Sequence, residues 1–222
     1  MGQINELTVL VAAWDPFEPV WNNFFKLLNK YWEPECEIVF ATNSKEPSIP
    51  NVNVVPTQEL GWTDKVLVAL EHINTEYTFF ILDDYFINEP LSTEHIQLHI
   101  DFLNEYKANK VMLEYKCKGL KLEQPFSYKG NIVHQLASNS DYLTSTQPSI
   151  WKTSYLRDCL QTGWNAWQFE IDGTNRIRGN ERGTYLMLRD KKPYWNAIVK
   201  GKKVEHGWKE LRDKEQLEEF EI

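Results

Sequence analysis

The segment Tyr77-Thr78-Phe79-Phe80-Ile81-Leu82-Asp83-Asp84-Tyr85-Phe86 constrains this chain more than any other. Its apolar, aromatic and β-branched run reads as a buried strand, and it stops abruptly on two adjacent carboxylates. Open α/β sheets deliver their functional groups at the C-terminal ends of their strands, where the crevice lies. Two acids held together there repel unless a cation or hydrogen bonds compensate. A hard divalent metal, which takes oxygen ligands and bridges to phosphate, suits such a pair. An acidic turn that merely closes the strand, with Asp84 capping the next segment, accounts for the pair taken alone equally well.

The flanking sequence places that strand in a sheet. Residues 7–13 form a short apolar run ending at Trp14-Asp15-Pro16, a buried strand and a turn. Trp21, Phe24, Phe25, Leu28 and Trp32 recur at helical spacing and predict an amphipathic helix. Residues 36–41 read as a second strand ending at Thr42-Asn43-Ser44, and 52–55 as a short third. A helix starts near Thr63 with Val66, Ala69, Leu70 and Ile73 inward, and Ser92 caps another whose Ile96, Ile100 and Leu103 face inward. Residues 110–115 resume as a strand. Strands linked by helices imply an α/β fold with a mostly parallel sheet.

After Tyr115 the rhythm changes. Residues 116–145 are irregular with a hairpin at Lys129-Gly130-Asn131, residues 146–151 read as a strand and 154–160 as a helix. The polar tail, 211–222, is either a charged helix or frayed. No repeat or linker divides the chain, which is expected to be one domain over 1–222, with halves at 1–115 and 116–222.

The chain has 222 residues, enough for one sizeable domain, and 14% aromatic residues with nine Trp, which supply both a core and rings for stacking bases or sugars. A net charge of −8 argues against nucleic acid as a partner. Lys191, Lys192, Lys200, Lys202 and Lys203 form a local basic exception that meets phosphates or an anionic membrane, or is a solvated face. Three scattered cysteines, Cys36, Cys117 and Cys159, match neither a disulfide framework nor a zinc site and favour a reducing compartment, with Cys117 and Cys159 reading as packing residues. The first apolar run is too short to span a bilayer and follows no basic leader, so a soluble cytoplasmic protein is expected, with peripheral contact at the inner face of the membrane open.

Asp15, Asn43 and Asp83-Asp84 each follow a strand, so a parallel sheet brings them to one edge. Gly61-Trp62-Thr63-Asp64-Lys65 opens the helix before the acidic strand, where helix amides and Lys65 can meet a phosphate and Trp62 can stack. Each residue alone also reads as a turn, cap or core residue; their convergence carries the argument.

The succession Ala12-Ala13-Trp14-Asp15, Ala41-Thr42-Asn43, Trp62-Thr63-Asp64-Lys65 and Ile81-Leu82-Asp83-Asp84-Tyr85-Phe86 resembles nucleotide-sugar glycosyltransferases of the GT-A fold over roughly residues 8–170. The nearest flavour is that of small bacterial transferases acting on capsule, O-antigen or lipopolysaccharide glycans. The resemblance implies a GT-A-like, Rossmann-like sheet and transfer of a sugar from a nucleotide diphosphate sugar to a glycan or polyprenyl diphosphate glycolipid. It puts Ala13, Trp14, Asp15 and Asn43 on the base or ribose, and Trp62, Asp64 and Lys65 around nucleotide and diphosphate. Asp83 and Asp84 then hold Mn2+ or Mg2+, although Asp-Asp-Tyr departs from the family's strict Asp-x-Asp.

Asn165-Ala166-Trp167-Gln168-Phe169-Glu170 resembles the segment that presents an acid to the acceptor hydroxyl in inverting members, which makes Glu170 the expected general base. Its aromatic neighbours would raise its pKa towards base work. A structural acid near a helix start is the plain alternative. Gln147, Trp151 and Trp167 stand on the acceptor side, and His206 is placed on metal or diphosphate by the family's habit. His95 and His99 have chelating spacing without a Glu beside them, which reads more simply as a helix face. Serine hydrolase, P-loop and dinucleotide motifs are absent. A metal-dependent phosphotransferase or nuclease on the same acidic edge, and a sugar-binding or scaffold protein of transferase-like fold, are the rival readings.

Overall fold

A computed structural model describes residues 2–58, 60–114, 119–179 and 183–222. The first strand, β1 (Gln3–Ala12), is buried from Leu7 onwards. Helix α1 (Glu18–Tyr31) starts with Pro19 in its first turn and buries Val20, Trp21, Phe24, Phe25 and Leu28. Then come β2 (Glu35–Thr42), β3 (Asn53–Pro56) and α2 (Trp62–Glu71), followed by the apolar run as β4 (Tyr77–Leu82) and a short β5 (Tyr85–Ile87). Ser92 caps α3 (Thr93–Glu105) by accepting from the His95 amide at 3.2 Å. Next are β6 (Lys110–Glu114) and the hairpin β7 (Phe126–Tyr128) and β8 (Asn131–Gln135), whose turn holds Lys129 and Gly130 at φ 45° and 84°. The chain continues through β9 (Ser149–Lys152), α4 (Thr153–Cys159) and α5 (Ala166–Ile177). It ends with β10 (Thr184–Leu188), β11 (Tyr194–Asn196), β12 (Ile198–Val199), β13 (Lys202–Lys203) and α6 (Trp208–Glu215).

Nine strands form the main sheet in the order β3-β2-β1-β4-β9-β6-β10-β8-β7. Pairing is parallel through β3, β2, β1 and β4 and again between β6 and β10; only β9 and β8 run against the rest. The mostly parallel α/β sheet expected from the sequence is therefore present, with one reversal at its centre. The alternation of side chains across a strand divides the core. Val9, Val11, Phe79 and Ile81 join the cluster under α1 and α3, whereas Leu10 and Phe80 join Val66, Leu70, Leu156 and Phe169 under α2, α4 and α5.

Several expectations shift. The strand expected at 146–151 narrows to β9, because the residues before it turn to hold other segments. The tail is not frayed: beyond α6 it folds back with Leu217 and Phe220 buried, and Asn23 donates to the Glu218 carbonyl at 2.8 Å. Cys159 is fully buried, and burial pushes its thiol up to about 12, an inert packing residue as expected. Cys117 lies outside the described residues. Among these, no helix is long and apolar enough to cross a membrane.

Candidate active site

The two acids form the turn between β4 and β5, and the fold gives them different environments. Asp83 is 2% exposed; its Oδ2 accepts from the Trp14 amide at 3.0 Å and from Trp21 Nε1 at 2.8 Å. It clamps the end of β1 to helix α1. Burial raises it to about 6 against the pull of these bonds. Asp84 has no such clamp. Its Oδ1 is buried without a hydrogen-bond partner, and burial together with the neighbouring Asp83 charge pushes it up to about 8.

A buried, partnerless carboxylate oxygen beside a satisfied acid is a site wanting a proton or a cation. Among the described residues no cluster of three or more His, Cys, Asp or Glu makes an all-protein metal cage. The donor set instead fits a hard cation held by Asp84 and completed by ligand phosphates and water, the usual manner of Mg2+ in phosphate sites.

Around the acids the ends of β1 and β2 are locked together. Asp15 accepts from the amides of Asn43 (2.7 Å), Ser44 (2.8 Å) and Lys45 (3.0 Å), and Asn43 Oδ1 accepts from the Asp15 amide at 3.3 Å. Burial would raise Asp15, but these bonds outweigh it and hold the carboxyl below its ordinary range. Lys65, at 2% exposure, donates to the Ala13 carbonyl at 2.6 Å and to Asn43 Oδ1 at 3.0 Å. The lysine expected on the diphosphate is thus occupied in fixing Ala13 and Asn43. Asp64 accepts from the Gly163 amide at 3.0 Å and ties α2 to the loop before α5.

Beside the acids lies a cavity of about 530 Å³, within the usual range for a small-molecule site. Ala13, Trp14, Asn43, Trp62, Lys65, Asp83 and Asp84 line it, joined by Asn165, Ala166 and Trp167 from the start of α5. A capping box between Asn165 and Gln168 fixes that helix start. Trp14 and Trp167 are 50% and 67% exposed, rings available for stacking at the rim, while Trp62 leans on Phe169 at 5.4 Å between centroids. Asp15 and Asp64 are not part of this lining and act through the backbone amides they hold.

The acceptor-side expectations fare unevenly. Trp151 is fully buried on β9, stacked against Tyr155 with Lys110 over its ring, so it meets no sugar; a strand paired on both sides under α4 and α5 has no solvent face to give it. Gln147 is held between the hydroxyls of Tyr85 and Tyr194. Glu170 does not line the cavity that holds the acids. It borders a neighbouring one of about 220 Å³ with Tyr142, Asn175 and Arg178, and its Oε1 accepts from the Thr146 amide at 2.8 Å and hydroxyl at 2.9 Å. His206 is exposed and outside the cavity lining. His95 and His99 are not a chelating pair on an open face: His99 is fully buried, and its Nδ1 donates to the His95 carbonyl at 2.7 Å.

The sequence reading named Lys200 only within the basic segment and did not place Leu60, Ile198, Lys200 or Gly201 at this cavity, which they also line. The last three belong to the hairpin β12–β13. The signal available for it was the Lys200-Gly201 pair inside the basic segment, read as charge rather than as a turn.

No protein-family model matches the chain, and no curated protein sequence matches it significantly. Solved structures do. S. aureus TarS superposes with a TM-score of 0.58 at 18% identity over 87% of this chain and 37% of its own. Its 1-349 form in complex with UDP-GlcNAc gives 0.59 at 19% identity, covering 89% of this chain and 60% of that one. Mannosyltransferase PcManGT from Pyrobaculum calidifontis, in complex with GDP-Man and Mn2+, gives 0.58 at 12% identity over 95% of this chain and 61% of its own. The chain spans between about a third and three fifths of these longer chains. These superpositions show that the chain shares the GT-A-like fold of these solved structures.

Proposed function

We propose that the chain transfers a sugar from a nucleotide diphosphate sugar to a glycan or polyprenyl diphosphate glycolipid in surface polysaccharide synthesis, with inversion. The observation that carries this reading is the partnerless oxygen of Asp84 in a tryptophan-rimmed cavity at the C-terminal edge of the sheet. The complexes of the two structural neighbours, with UDP-GlcNAc and with GDP-Man and Mn2+, support the choice of donor class and cation. Ala13, Trp14 and Asn43 receive base and ribose, with Asp15 and Lys65 holding them from behind. Asp84 ligates Mn2+ or Mg2+, and Asp83 fixes the turn. When bound, the cation offsets the charge gathering on the departing diphosphate.

In the transfer step the acceptor oxygen bonds to the anomeric carbon as the bond from that carbon to the diphosphate oxygen breaks, and the acceptor proton passes to a base. Glu170 is the proposed base: Trp167, one helical turn before it on α5, lines the donor cavity, and Glu170 Oε2 accepts no hydrogen bond from a described residue. Trp167 then serves as the acceptor's stacking surface. The two halves of the single domain divide the work into donor side and acceptor side, and the basic segment offers a peripheral contact to anionic lipid.

A second reading rests on one observation. The donor cavity holds no carboxylate but Asp83 and Asp84 among the described residues, and Glu170 borders its neighbour, which suits a sugar-nucleotide-binding module without turnover. Calorimetry with UDP-, GDP- and ADP-sugars, with and without Mn2+, followed by product analysis, separates the two. The transferase reading requires donor binding, an inverted product, and in Glu170→Gln a loss of turnover of about a hundredfold at unchanged donor affinity. Binding without turnover favours the module, and no binding removes both.

A further inference from the structure

We propose that Lys200, at the tip of the β12–β13 hairpin, is the side chain that meets the diphosphate, an inference resting on the donor-binding reading above. The described lining of the donor cavity contains two cationic side chains, Lys65 and Lys200. Lys65 is consumed by the Ala13 carbonyl and Asn43. Lys200 is exposed, and no hydrogen bond or ion pair joins its amine to a described residue.

The rest of the basic segment has other employment. Lys203 is paired with Glu219 and lies over the rings of Trp208 and Phe220, Lys192 donates to Asn196 at 3.0 Å, and Lys191 stands 3.8 Å from Glu89. Lys202 is exposed and outside the cavity lining. What the sequence presents as one basic patch is therefore several local roles, with one of its charges lining the cavity that holds the acids.

The hairpin is built to keep that charge there. Ala197, at its base, donates its amide to the Asp84 carbonyl at 2.7 Å and accepts from the Val204 amide at 2.9 Å. Just before it, β11 pairs with β5, setting Asn196 opposite Tyr85. One set of backbone bonds thus fixes both the acidic turn and the arm carrying Lys200. At the tip Lys200 and Gly201 have φ of 53° and 70°, the twist of a two-residue hairpin turn that prefers Asn, Asp or Gly.

The chemistry demands such a charge. A divalent cation held by one carboxylate leaves a departing diphosphate under-neutralised, and an ammonium is a point charge well suited to a phosphate oxygen. A nucleoside monophosphate, lacking the outer phosphate, gains less from it.

The test is calorimetry in Mn2+ with UDP, GDP, ADP and CDP and the corresponding monophosphates, on wild type, Lys200→Met, Lys200→Arg and the control Lys202→Met. The expected result is a wild-type preference for the best diphosphate over its monophosphate that falls by about tenfold in Lys200→Met, is largely kept in Lys200→Arg, and is unchanged in Lys202→Met, with one melting temperature for all. Equal preference in Lys200→Met, or a loss shared equally by mono- and diphosphate, overturns the assignment while leaving the donor site standing. Failure of every nucleotide to bind wild type removes the donor reading itself and this inference with it.

Discussion

Asp83 and Asp84 show how far two identical neighbours can diverge. Their adjacency at a strand end was legible in the sequence, and so was the convergence of Asp15, Asn43 and Trp62 on the same edge. Their division of labour was not, because it depends on the Trp21 indole, which reaches Asp83 only after α1 has packed on the sheet. The two carboxylates should therefore answer differently to the same substitution. Asp83→Asn weakens two hydrogen bonds to a charged acceptor and is expected to lower stability by about 1–3 kcal/mol. Asp84→Asn removes a carboxyl whose charged form burial and Asp83 disfavour, so its melting temperature should match or exceed wild type while nucleotide affinity in Mn2+ falls at least about tenfold. Thermal melts and calorimetry on both variants check this; equal melting of the two, or full Mn2+-dependent binding by Asp84→Asn, contradicts it.

At the scale of elements, the long strands and helices of the first half carried strong periodic patterns, and each appears within a few residues of its expected place. The strands that were missed, β5 and β10 to β13, are two to five residues long and have too few positions to show a period. Trp151 failed for a different reason: on a strand both faces of which are covered, Ile150 and Trp151 enter opposite cores, and no alternation marks either as buried. The segment of α5 was singled out for its acid, and its twelve-residue helix was not predicted. A Cβ on Gly173 would stand 2.9 Å from Thr144 Oγ1, which is itself fixed by donating to the Phe169 carbonyl at 2.7 Å. The Thr144 amide also donates to Thr174 Oγ1 at 3.1 Å, so the neighbour cannot yield cheaply. Gly173→Ala gains about 1 kcal/mol of helix propensity but meets an overpacking cost of about 1–3 kcal/mol. Net destabilisation is expected in denaturant melts, and a more stable variant would show that Thr144 moves freely.

The whole molecule should carry an acid sensitivity rooted far from the acids. Burial lowers His99 to about 3 and His95 to about 4, with the charge of the other ring adding to the effect on His99 and that of Arg189 to the effect on both. The unfolded chain takes up these protons near the ordinary value of 6.5, so the stability owed to neutral imidazoles is complete above that pH and is lost as pH falls towards about 4. Asp83 and Asp84 work the other way, since their raised values favour the protonated fold. The difference between variant and wild type isolates the histidine share: the drop in melting temperature from pH 7 to about 4.5 should shrink in His99→Phe, and an identical drop would assign the loss elsewhere. Strand β9 bears on the molecule in yet another way. It fills the slot between β4 and β6, although residues 149–152 are made well after both. On the ribosome, the first 114 residues therefore emerge as one four-stranded fragment, β3-β2-β1-β4, and a lone strand β6 that has neither of its sheet neighbours, and the open edge of β4 invites pairing with another nascent chain. Only when Lys152 clears the exit tunnel can Ser149–Lys152 slide in and make them one sheet.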